Sequence, residues 1–318
     1  MRIAAVVPAF RCKDQIVGVL RSIGSEVDWI ILVDDGCPDG TGEHARAHVK
    51  DSRLKIVIRP RNGGVGAAVK TGIREALSLG ADIVVKLDGD GQMDARLIPR
   101  LVEPIRNGFA DVAKGNRFWD VEYLSAMPWM RLLGNSILSF VNKAVSGYWG
   151  LMDPTNGFIA WHRAALGMLR LDRVAESYFF ESDMLYQLGL VRAVIQDVPM
   201  RSRYGDEKSG LRVWKVVVQF PPKYARRLVS RVYYRYVMRD FNLGSIALLI
   251  GGPLTVFGFL FGASAWLEAA KTQVPSTSGT VMLAALPMVI GVQLLAVFGF
   301  YDILMPPKHP LQLLVPKE

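Results

Sequence analysis

Residues 82–92 read DIVVKLDGDGQ, an apolar strand-like segment that runs into two aspartates separated by one glycine. Similar short apolar segments occur earlier, at residues 3–7 (IAAVV), 29–33 (WIILV) and 55–58 (KIVI). Segments predicted to form helices separate these strands, and the first helix is expected to begin at Asp14. Strands that alternate with helices predict an α/β fold with a mainly parallel, Rossmann-like sheet.

A polar or glycine-rich turn follows each of these four strands, at residues 8–10, 34–39, 62–66 and 88–92. In open parallel sheets, ligands bind at the carboxyl ends of the strands. We therefore expect the four turns to form one site.

Asp88 and Asp90 carry the clearest chemical signal within that site. Two carboxylates this close repel each other at the end of a buried strand, and a bound cation relieves the repulsion. Oxygen ligands without Cys or His indicate a hard ion such as Mg²⁺ or Mn²⁺, which commonly also binds substrate phosphates. The pattern predicts a metal–diphosphate site, and the alternative is a solvated turn, since Asp and Gly favour turns.

The chain has 318 residues, a net charge of +9 and two cysteines, with a mean hydropathy of +0.22. This apolar content excludes a disordered protein, and two cysteines are too few for a disulfide scaffold. Residues 243–267 and 280–301 contain no charged residue, and each run is long enough to cross a bilayer. No signal peptide is recognised at the start of the sequence, which runs directly into the first strand.

Five arginines precede the first apolar run, between residues 226 and 239, whereas the connection between the runs carries only Glu268 and Lys271. The positive-inside rule predicts a hairpin in the inner (cytoplasmic) membrane with the N-terminal part and the tail in the cytoplasm. Cys12 and Cys37 are then expected to be free thiols. Arginines beside a membrane segment indicate binding to anionic lipid more simply than binding to nucleic acid.

Cationic and amide side chains are available for a second, membrane-bound substrate. Arg117 follows the fifth predicted strand, and Arg131, Asn135 and Asn142 share one face of an apparent amphipathic helix over residues 130–145. Such a helix can lie in the membrane interface and offer an arginine to a headgroup phosphate, although a solvated charge is the plain alternative.

Eight motifs occur along the chain in a recognisable order. They are VVPAF (6–10), VDDGCPDGTG (33–42), RNGGVGAAVKTG (61–72), LDGDGQMD (87–94), KGNRF (114–118), DPTNGF (153–158), FFESDML (179–185) and VPMRSRYGDEKSGL (198–211). With these motifs the chain resembles family 2 glycosyltransferases of the dolichyl/polyprenyl-phosphate sugar synthase type. The resemblance implies a GT-A nucleotide-sugar-binding fold followed by two transmembrane helices.

The resemblance also implies roles for individual residues. Those implied to bind the nucleotide-sugar are Pro8, Ala9, Phe10, Asp34, Asp35, Asn62, Gly66, Asp88 and Gly89. The implied metal ligands, for Mg²⁺ or Mn²⁺, are Asp88, Asp90 and Gln92. The implied acceptor-phosphate residues are Arg117, Arg131, Asn135, Arg203 and Lys208, and Asp90, Arg117 and Arg131 are the implied catalytic residues. The sugar pocket is expected at Asn156, Gly157, Glu181 and Asp183.

The function that follows is a membrane-bound, inverting glycosyltransferase. It would move a sugar from a UDP- or GDP-sugar to undecaprenyl or dolichyl phosphate and so make a lipid-phosphate-linked monosaccharide. Two alternatives remain: a processive polysaccharide synthase, whose Gln-x-x-Arg-Trp motif is missing at Gln219, and a catalytically silent nucleotide-sugar-binding membrane protein. A homo-oligomer is left open, and nucleic acid is not expected as a partner.

The expected division of the chain has four segments. Residues 1–210 form a cytoplasmic catalytic domain, 211–241 form interfacial amphipathic helices, 242–304 form the transmembrane hairpin, and 305–318 form a cytoplasmic tail.

Overall fold

The structure, a computed structural model, describes residues 1–119, 129–200 and 213–314, except the side chains of residues 131 and 213–217. The chain divides into two compact units. The first, called the catalytic unit below, contains Met1–Leu228 together with Pro307–Glu318. The second, called the membrane unit, contains Val229–Pro306. This division differs from the expected segments, because residues 213–228 and 307–314 belong to the catalytic unit.

A seven-stranded sheet forms the centre of the catalytic unit. Its strands are β1 (Ile3–Ala9), β2 (Trp29–Asp34), β3 (Leu54–Ile58), β4 (Ile83–Lys86), β5 (Val112–Asn116), β6 (Ile159–His162) and β7 (Ile195–Pro199). The order across the sheet is β3-β2-β1-β4-β6-β5-β7. Only β6 runs antiparallel to its neighbours β4 and β5; the other pairs are parallel. The mainly parallel sheet predicted from the sequence is therefore confirmed.

Helices cover both faces of this sheet. In chain order, the helices of the catalytic unit are α1 (Lys13–Ser22), α2 (Thr41–His48), α3 (Val65–Ser78), α4 (Ile98–Arg106), α5 (Trp129–Ser146), α6 (Arg163–Met168), α7 (Phe180–Val191) and the first part of α8 (Val213–Tyr233). The short helix α11 (Leu311–Leu314) also belongs to this unit and comes after the two long helices of the membrane unit. The first helix begins one residue before the predicted Asp14.

The alternation of side chains along β1 explains the two-sided packing. Ile3, Ala5 and Val7 lie in one buried cluster with α1 and α4, whereas Ala4 and Val6 lie in a second cluster with α3 and α7. All five are fully buried. Successive strand residues point to opposite faces, so a strand covered on both sides must be apolar throughout, as residues 3–7 are.

Residues 307–314 complete the catalytic unit beside β5. The buried Asp111 carboxylate accepts hydrogen bonds from the backbone N–H groups of Leu311 and Gln312, at 2.9 Å each, and of Val194, at 2.8 Å. The Gln312 side-chain amide donates to the carbonyl oxygens of Ile105 and Ala110. Because Asp111 is fully buried, these N–H groups supply the partners that its charge requires.

Two long apolar helices form most of the membrane unit: α9 (Leu243–Thr272) and α10 (Ser278–Leu304). Their mean hydropathies reach 2.0 and 2.4, and both are long and apolar enough to cross a membrane. Glycines let the two backbones approach closely, since a Cβ on Gly258 would lie 2.7 Å from the Ala284 carbonyl oxygen. Asn242 begins α9 with a capping box that involves Ser245.

A buried ionic cluster joins the start of the membrane unit to the end of α10. Asp302 accepts a bidentate pair from Arg231, at 2.8 and 2.9 Å, and further bonds from Arg235 and the Tyr236 hydroxyl. Arg231 and Asp302 are 3% and 4% exposed at their side chains. A pair this buried is strongly coupled, because removal of one partner leaves the other charge uncompensated.

Candidate active site

A cavity of about 280 Å³ opens at the carboxyl ends of β1, β2 and β4. The residues that line it are Pro8, Ala9, Phe10, Asp35, Asn62, Gly64, Val65, Ala68, Asp88, Ser177 and Tyr178. Six of these were predicted from the sequence, and they come from four separate strand ends. The cavity therefore lies where the turns after parallel strands were expected to meet.

Asp35 fixes one wall of the cavity through the glycine-rich turn before α3. Its carboxylate accepts the N–H of Gly63 and Gly64 and forms an ion pair with Arg59. Gly64 has a φ of +93° and approaches the Glu176 carbonyl oxygen, so a side chain there would be both strained and blocked. The turn thereby brings the start of α3 against the segment that carries Ser177 and Tyr178.

Asp34, Gly66 and Gly89, also predicted to bind the donor, are not among the residues that line the cavity. Asp34 is buried and accepts the N–H of Cys37 and of Gly42, at 2.7 Å each, so it shapes the turn that begins α2. Gly66 packs against the Ala175 carbonyl oxygen and Phe180. Gly89 lies beside Cys12, where a Cβ would meet the Cys12 Sγ at 3.1 Å.

Lys86 lies beneath Asp88 and connects it to Glu181. Its ammonium is 2.8 Å from Asp88 Oδ1 and 3.2 Å from Glu181 Oε1, and its side chain is 1% exposed. Burial lowers the pKa of Lys86, but the two carboxylates outweigh burial and hold the pKa above its usual value. Gly157, in the loop before β6, lies against this cluster, because a Cβ on it would lie 2.6 Å from Lys86 Nζ and 2.7 Å from Asp88 Oδ2.

Asp90 and Gln92 lie on the turn that follows Asp88. Asp90 Oδ1 accepts the Gln92 N–H at 3.0 Å, and Gly91 takes a φ of +77° between them. Among the described residues, no group of three His, Cys, Asp or Glu side chains is placed to hold a metal. Asp88, Asp90 and Gln92 offer two carboxylates and an amide oxygen, and these ligand types fit a hard cation such as Mg²⁺ or Mn²⁺ that takes its other ligands from a substrate diphosphate.

A second buried lysine supports the loop that precedes β6. Lys114 donates to the backbone carbonyl oxygen of Asn156, and burial lowers its pKa to about 8. The Asn156 side chain is 2% exposed; its amide donates to the Gly115 carbonyl and its oxygen accepts the Phe158 N–H. Asn156 therefore holds the loop together, and Gly157 rather than Asn156 reaches Asp88.

Arg117 is tied to this loop by its guanidinium. It donates to Asp153 Oδ2 at 2.7 Å and to Asp153 Oδ1 at 3.0 Å, and it also reaches the Thr155 hydroxyl. The Asp153 side chain is fully buried, whereas that of Arg117 is 24% exposed. A phosphate at Arg117 would therefore share the guanidinium with Asp153.

Glu181 and Asp183, both expected in the sugar pocket, lie in different surroundings. Glu181 faces Lys86 and so belongs to the Asp88 cluster. Asp183 is fully buried, accepts the Ala175 N–H at 2.8 Å and pairs with Arg227. Burial raises the pKa of Asp183, although Arg227 opposes the increase. In the structure, Asp183 therefore connects the start of α7 to Ala175 and Arg227.

The expected acceptor-phosphate residues are only partly described. Arg203 and Lys208 lie outside the described residues, as does the side chain of Arg131 in the first turn of α5. Asn135 is half-buried on the same helix. Asn142, predicted on the same helix face, is buried and donates to the Tyr224 hydroxyl at 3.1 Å, so it packs against α8.

The outer side of α5 is apolar and exposed. Its exposed apolar residues are Trp129, Met130, Leu132, Leu133, Ile137 and Phe140. The ring of Phe140 also contacts Trp149. Exposed apolar patches of this kind mark interaction surfaces, and in a chain with membrane-type helices the bilayer is the natural partner.

Both cysteines are free, as expected from the sequence. Burial raises the pKa of Cys12 to about 12 and that of Cys37 to about 11. The two groups are therefore neutral thiols at pH 7, which makes them poor nucleophiles and poor metal ligands.

Sequence reasoning missed several residues of the site. They are Arg59, Gly64, Val65, Ala68, Lys86, Ser177 and Tyr178. For Lys86 a signal was present: a lysine interrupts an otherwise apolar strand two residues before Asp88, and residues two apart on a strand share a face. Ser177 and Tyr178 come from a segment distant in sequence, which strand patterns do not place.

The sheet order with its one reversed strand, and the aspartates beyond β4, are those of a GT-A-like α/β fold. A crystal structure of glucosyl-3-phosphoglycerate synthase from Mycobacterium tuberculosis with UDP shares this fold, with a TM-score of 0.50 and 22% identity over 76% of this chain and 82% of that one. Its complex with Mn²⁺, UDP and glucosyl-3-phosphoglycerate gives a TM-score of 0.50 and 20% identity over 76% and 81%.

The family model described as Glycosyl transferase family 2 matches residues 4–169, and the chain belongs to this family. A UDP-N-acetylglucosamine–dolichyl-phosphate N-acetylglucosaminyltransferase from Methanococcus voltae is 29% identical over 247 residues, covering 73% of this chain and 94% of the relative. An undecaprenyl-phosphate mannosyltransferase from Micrococcus luteus is 29% identical over 205 residues, covering 63% and 83%. A polyprenol monophosphomannose synthase from Mycolicibacterium smegmatis is 29% identical over 192 residues, covering 58% and 71%.

Proposed function

We propose that the protein is a membrane-bound, inverting glycosyltransferase that moves a sugar from a nucleotide-sugar to a polyprenyl phosphate. The observation that carries the proposal is the cavity at the strand ends, which brings Pro8, Asp35, Asn62 and Asp88 together in a family 2 chain with two membrane-type helices. Relatives named for transfer to dolichyl, undecaprenyl and polyprenyl phosphates support the acceptor class.

The cavity is assigned to the nucleoside diphosphate of the donor. Pro8, Ala9 and Phe10 offer apolar contacts for a base, with Tyr178 on the opposite segment. Asp35 and Asn62 supply polar groups for the base or ribose, and Asp88 lies at the diphosphate end. Relatives and structural neighbours are named with UDP or with mannosyl transfer, so both UDP- and GDP-sugars belong in the first donor panel.

Asp88, Asp90 and Gln92 are the residues that would hold a divalent cation, and complexes of the structural neighbour with Mn²⁺ and UDP support this assignment. When bound, Mg²⁺ or Mn²⁺ would neutralise charge on the diphosphate and stabilise the departing nucleotide. Gly157 and Glu181 lie on the Asp88 cluster and are proposed to border the sugar. Their place next to Asp88 is the support for this role.

The acceptor needs positioning more than activation. A phosphate monoester has a second pKa of about 6, so its oxygen is already an anionic nucleophile at neutral pH. That oxygen attacks the anomeric carbon from the face opposite the nucleotide; the new carbon–oxygen bond forms as the bond to the diphosphate breaks. We propose that Arg117, Arg131, Asn135, Arg203 and Lys208 hold the phosphate, because cations offset the repulsion between two anionic substrates.

The membrane provides access to this acceptor. The exposed apolar side of α5 would lie in the interface, and the arginines between residues 226 and 239 would bind anionic headgroups. The segments before Val229 and after Pro306 belong to the same compact unit. Two crossings of the membrane, by α9 and α10, would leave both segments on one side of it. We therefore propose an inner-membrane protein with a cytoplasmic catalytic unit.

The test uses purified protein in detergent with Mn²⁺ or Mg²⁺ and a short polyprenyl phosphate. A panel of UDP- and GDP-sugars is screened for release of nucleoside diphosphate with and without the lipid. Release that requires the lipid is the expected result. Release without lipid contradicts the proposed acceptor, a growing polymer product indicates a processive synthase, and nucleotide binding without release with any donor indicates a silent binder.

Two variants test the assigned residues. Asp90→Ala should abolish turnover by removing a metal ligand, whereas Glu43→Ala, which removes an exposed carboxylate paired with Arg46 on α2, should leave turnover unchanged. Near wild-type activity of Asp90→Ala with Mg²⁺ would refute the metal assignment. Arg131→Ala should chiefly raise the KM for the lipid phosphate, and unchanged acceptor kinetics would remove Arg131 from the site.

A further inference from the structure

Lys86 is a charged residue in a fully buried strand. It ends the fully buried strand β4, where its backbone lies between Val6 of β1 and Ile159 of β6. Its ammonium lies 2.8 Å from Asp88 Oδ1 and 3.2 Å from Glu181 Oε1, so its positive charge is paired with two carboxylates. A buried lysine of this kind costs free energy unless it is paired, so its presence beside the metal-binding aspartate calls for a function.

The ammonium is enclosed beside these two carboxylates. Gly157 packs directly over Lys86 Nζ and Asp88 Oδ2, and the lysine side chain is 1% exposed. A second buried lysine, Lys114, lies within electrostatic range of both Lys86 and Glu181. If the Lys86 ammonium lost Asp88 as a partner, it would therefore move toward Glu181 rather than toward solvent.

This position puts Lys86 in competition with any metal ion for Asp88. Lys86 Nζ is 2.8 Å from Asp88 Oδ1, and oxygen ligands bind Mg²⁺ at about 2.1 Å, so a metal on that same oxygen would lie within about 5 Å of the ammonium. Even with the screening of bulk water, repulsion between the ammonium and a divalent cation at that separation should weaken metal binding about tenfold. The negative charges of a diphosphate would offset this repulsion.

We propose that Lys86 is a positioning residue that acts as a built-in counter-cation of Asp88, so that a divalent metal binds weakly until the donor diphosphate arrives with it. The inference rests on the proposed donor site and deepens it. Lys86 keeps Asp88 and Glu181 in place in the free protein, and in the loaded site it retains Glu181 while Asp88 turns to the metal. Metal and donor binding are thereby coupled.

The proposal predicts opposite shifts for two substitutions. Lys86→Met keeps the length of the side chain but removes its charge, so it should tighten Mn²⁺ binding in the absence of nucleotide by about tenfold. Glu181→Gln keeps Lys86 but removes the competing carboxylate, so it should weaken nucleotide-free Mn²⁺ binding several-fold. In both cases the affinity measured with saturating UDP or GDP should change less.

The experiment is a Mn²⁺ titration of the full-length protein in detergent, followed by the electron paramagnetic resonance signal of free Mn²⁺, with no nucleotide, with UDP and with GDP. Lys70→Met is the matched control: Lys70 is also a buried lysine, but it pairs with Glu176 and the Val174 carbonyl. This control should leave nucleotide-free Mn²⁺ affinity unchanged. A purely structural role for Lys86 would not tighten Mn²⁺ binding when the charge is removed.

Unchanged or weaker nucleotide-free Mn²⁺ binding by Lys86→Met overturns the proposal. If Lys86→Met does not fold, Glu181→Gln decides alone, and unchanged or tighter binding by that variant overturns it. No lipid enters this titration, so the outcome is separate from the test of the proposed function. Lipid-dependent transfer without the Mn²⁺ shifts overturns only the role of Lys86, and the shifts without transfer contradict only the acceptor.

Discussion

Gly157→Ala should damage the site while leaving the fold largely intact. The added methyl carbon would lie 2.6 Å from Lys86 Nζ, 2.7 Å from Asp88 Oδ2 and 3.1 Å from Met93 Cε. Ordinary contact begins at about 3.5 Å, so the ammonium must move by about 0.9 Å and the carboxylate by about 0.8 Å. The Lys86 side chain is 1% exposed and is paired with both Asp88 and Glu181, which restricts its movement away from the added methyl group.

We expect a loss of about 1–3 kcal/mol in stability, which is the usual cost of overpacking one methyl group. The catalytic effect should be larger, because a displacement approaching 1 Å at a group that positions substrate costs about 10²-fold in rate. That factor corresponds to about 2.7 kcal/mol in the activation barrier. Turnover should thus fall about a hundredfold at a temperature where the variant is still folded.

The assay is release of nucleoside diphosphate with saturating donor, polyprenyl phosphate and Mn²⁺, paired with thermal unfolding in the same detergent. Gly167→Ala in α6 is the control, because a Cβ there meets nothing within 4 Å. Gly167→Ala should retain full activity. If Gly157→Ala keeps turnover within about threefold of wild type, the reasoning that couples Gly157 to Asp88 is wrong.

Three further changes test the support around the site and the membrane unit. Burial raises the pKa of Asp197 to about 6, and within the described residues its Oδ1 has no hydrogen-bond partner. Asp197→Asn removes this poorly compensated charge, so it should stabilise the protein by about 1–3 kcal/mol above pH 6. The carboxyl group is protonated in both states at low pH, so this gain should vanish as pH falls from about 6 to about 4; a gain independent of pH in thermal unfolding would contradict it. Asp111→Ala should cost about 2–4 kcal/mol by leaving three backbone N–H groups without their acceptor, and limited proteolysis should then cut near residues 305–314. Asp302→Ala leaves Arg231 and Arg235 uncompensated and should cost about 3–5 kcal/mol, so an unchanged unfolding temperature in detergent would refute the importance of that cluster.

The strand pattern was readable in the sequence because each central strand is covered on both faces. Such strands are continuous apolar runs, and the predicted limits of the first three lie within two residues of β1, β2 and β3. The fourth is shorter than predicted, ending at Lys86 instead of Asp88, since the chain turns away to form the site. Polar turns at the ends of these strands then located the cavity correctly.

The direction of individual side chains was not readable in the same way. Asp34 and Asp35 are adjacent, so they point to opposite sides, and only Asp35 reaches the cavity. Glu181 and Asp183 are two positions apart on a helix, about 200° around its axis, and only Glu181 faces the Asp88 cluster. A motif names both acids of such a pair, and packing decides which one faces the cavity or the Asp88 cluster.

The position of residues 307–314 has a consequence for how the protein is made. The catalytic unit is interrupted in the sequence by the whole membrane unit, so the segment that satisfies Asp111 leaves the ribosome only after both membrane helices have been synthesised. Folding of the catalytic unit can therefore be completed only after residues 243–304 have been synthesised. A water-soluble version should accordingly be made by excising residues 229–306 and joining the flanking ends, because truncation after Leu228 would discard part of the fold.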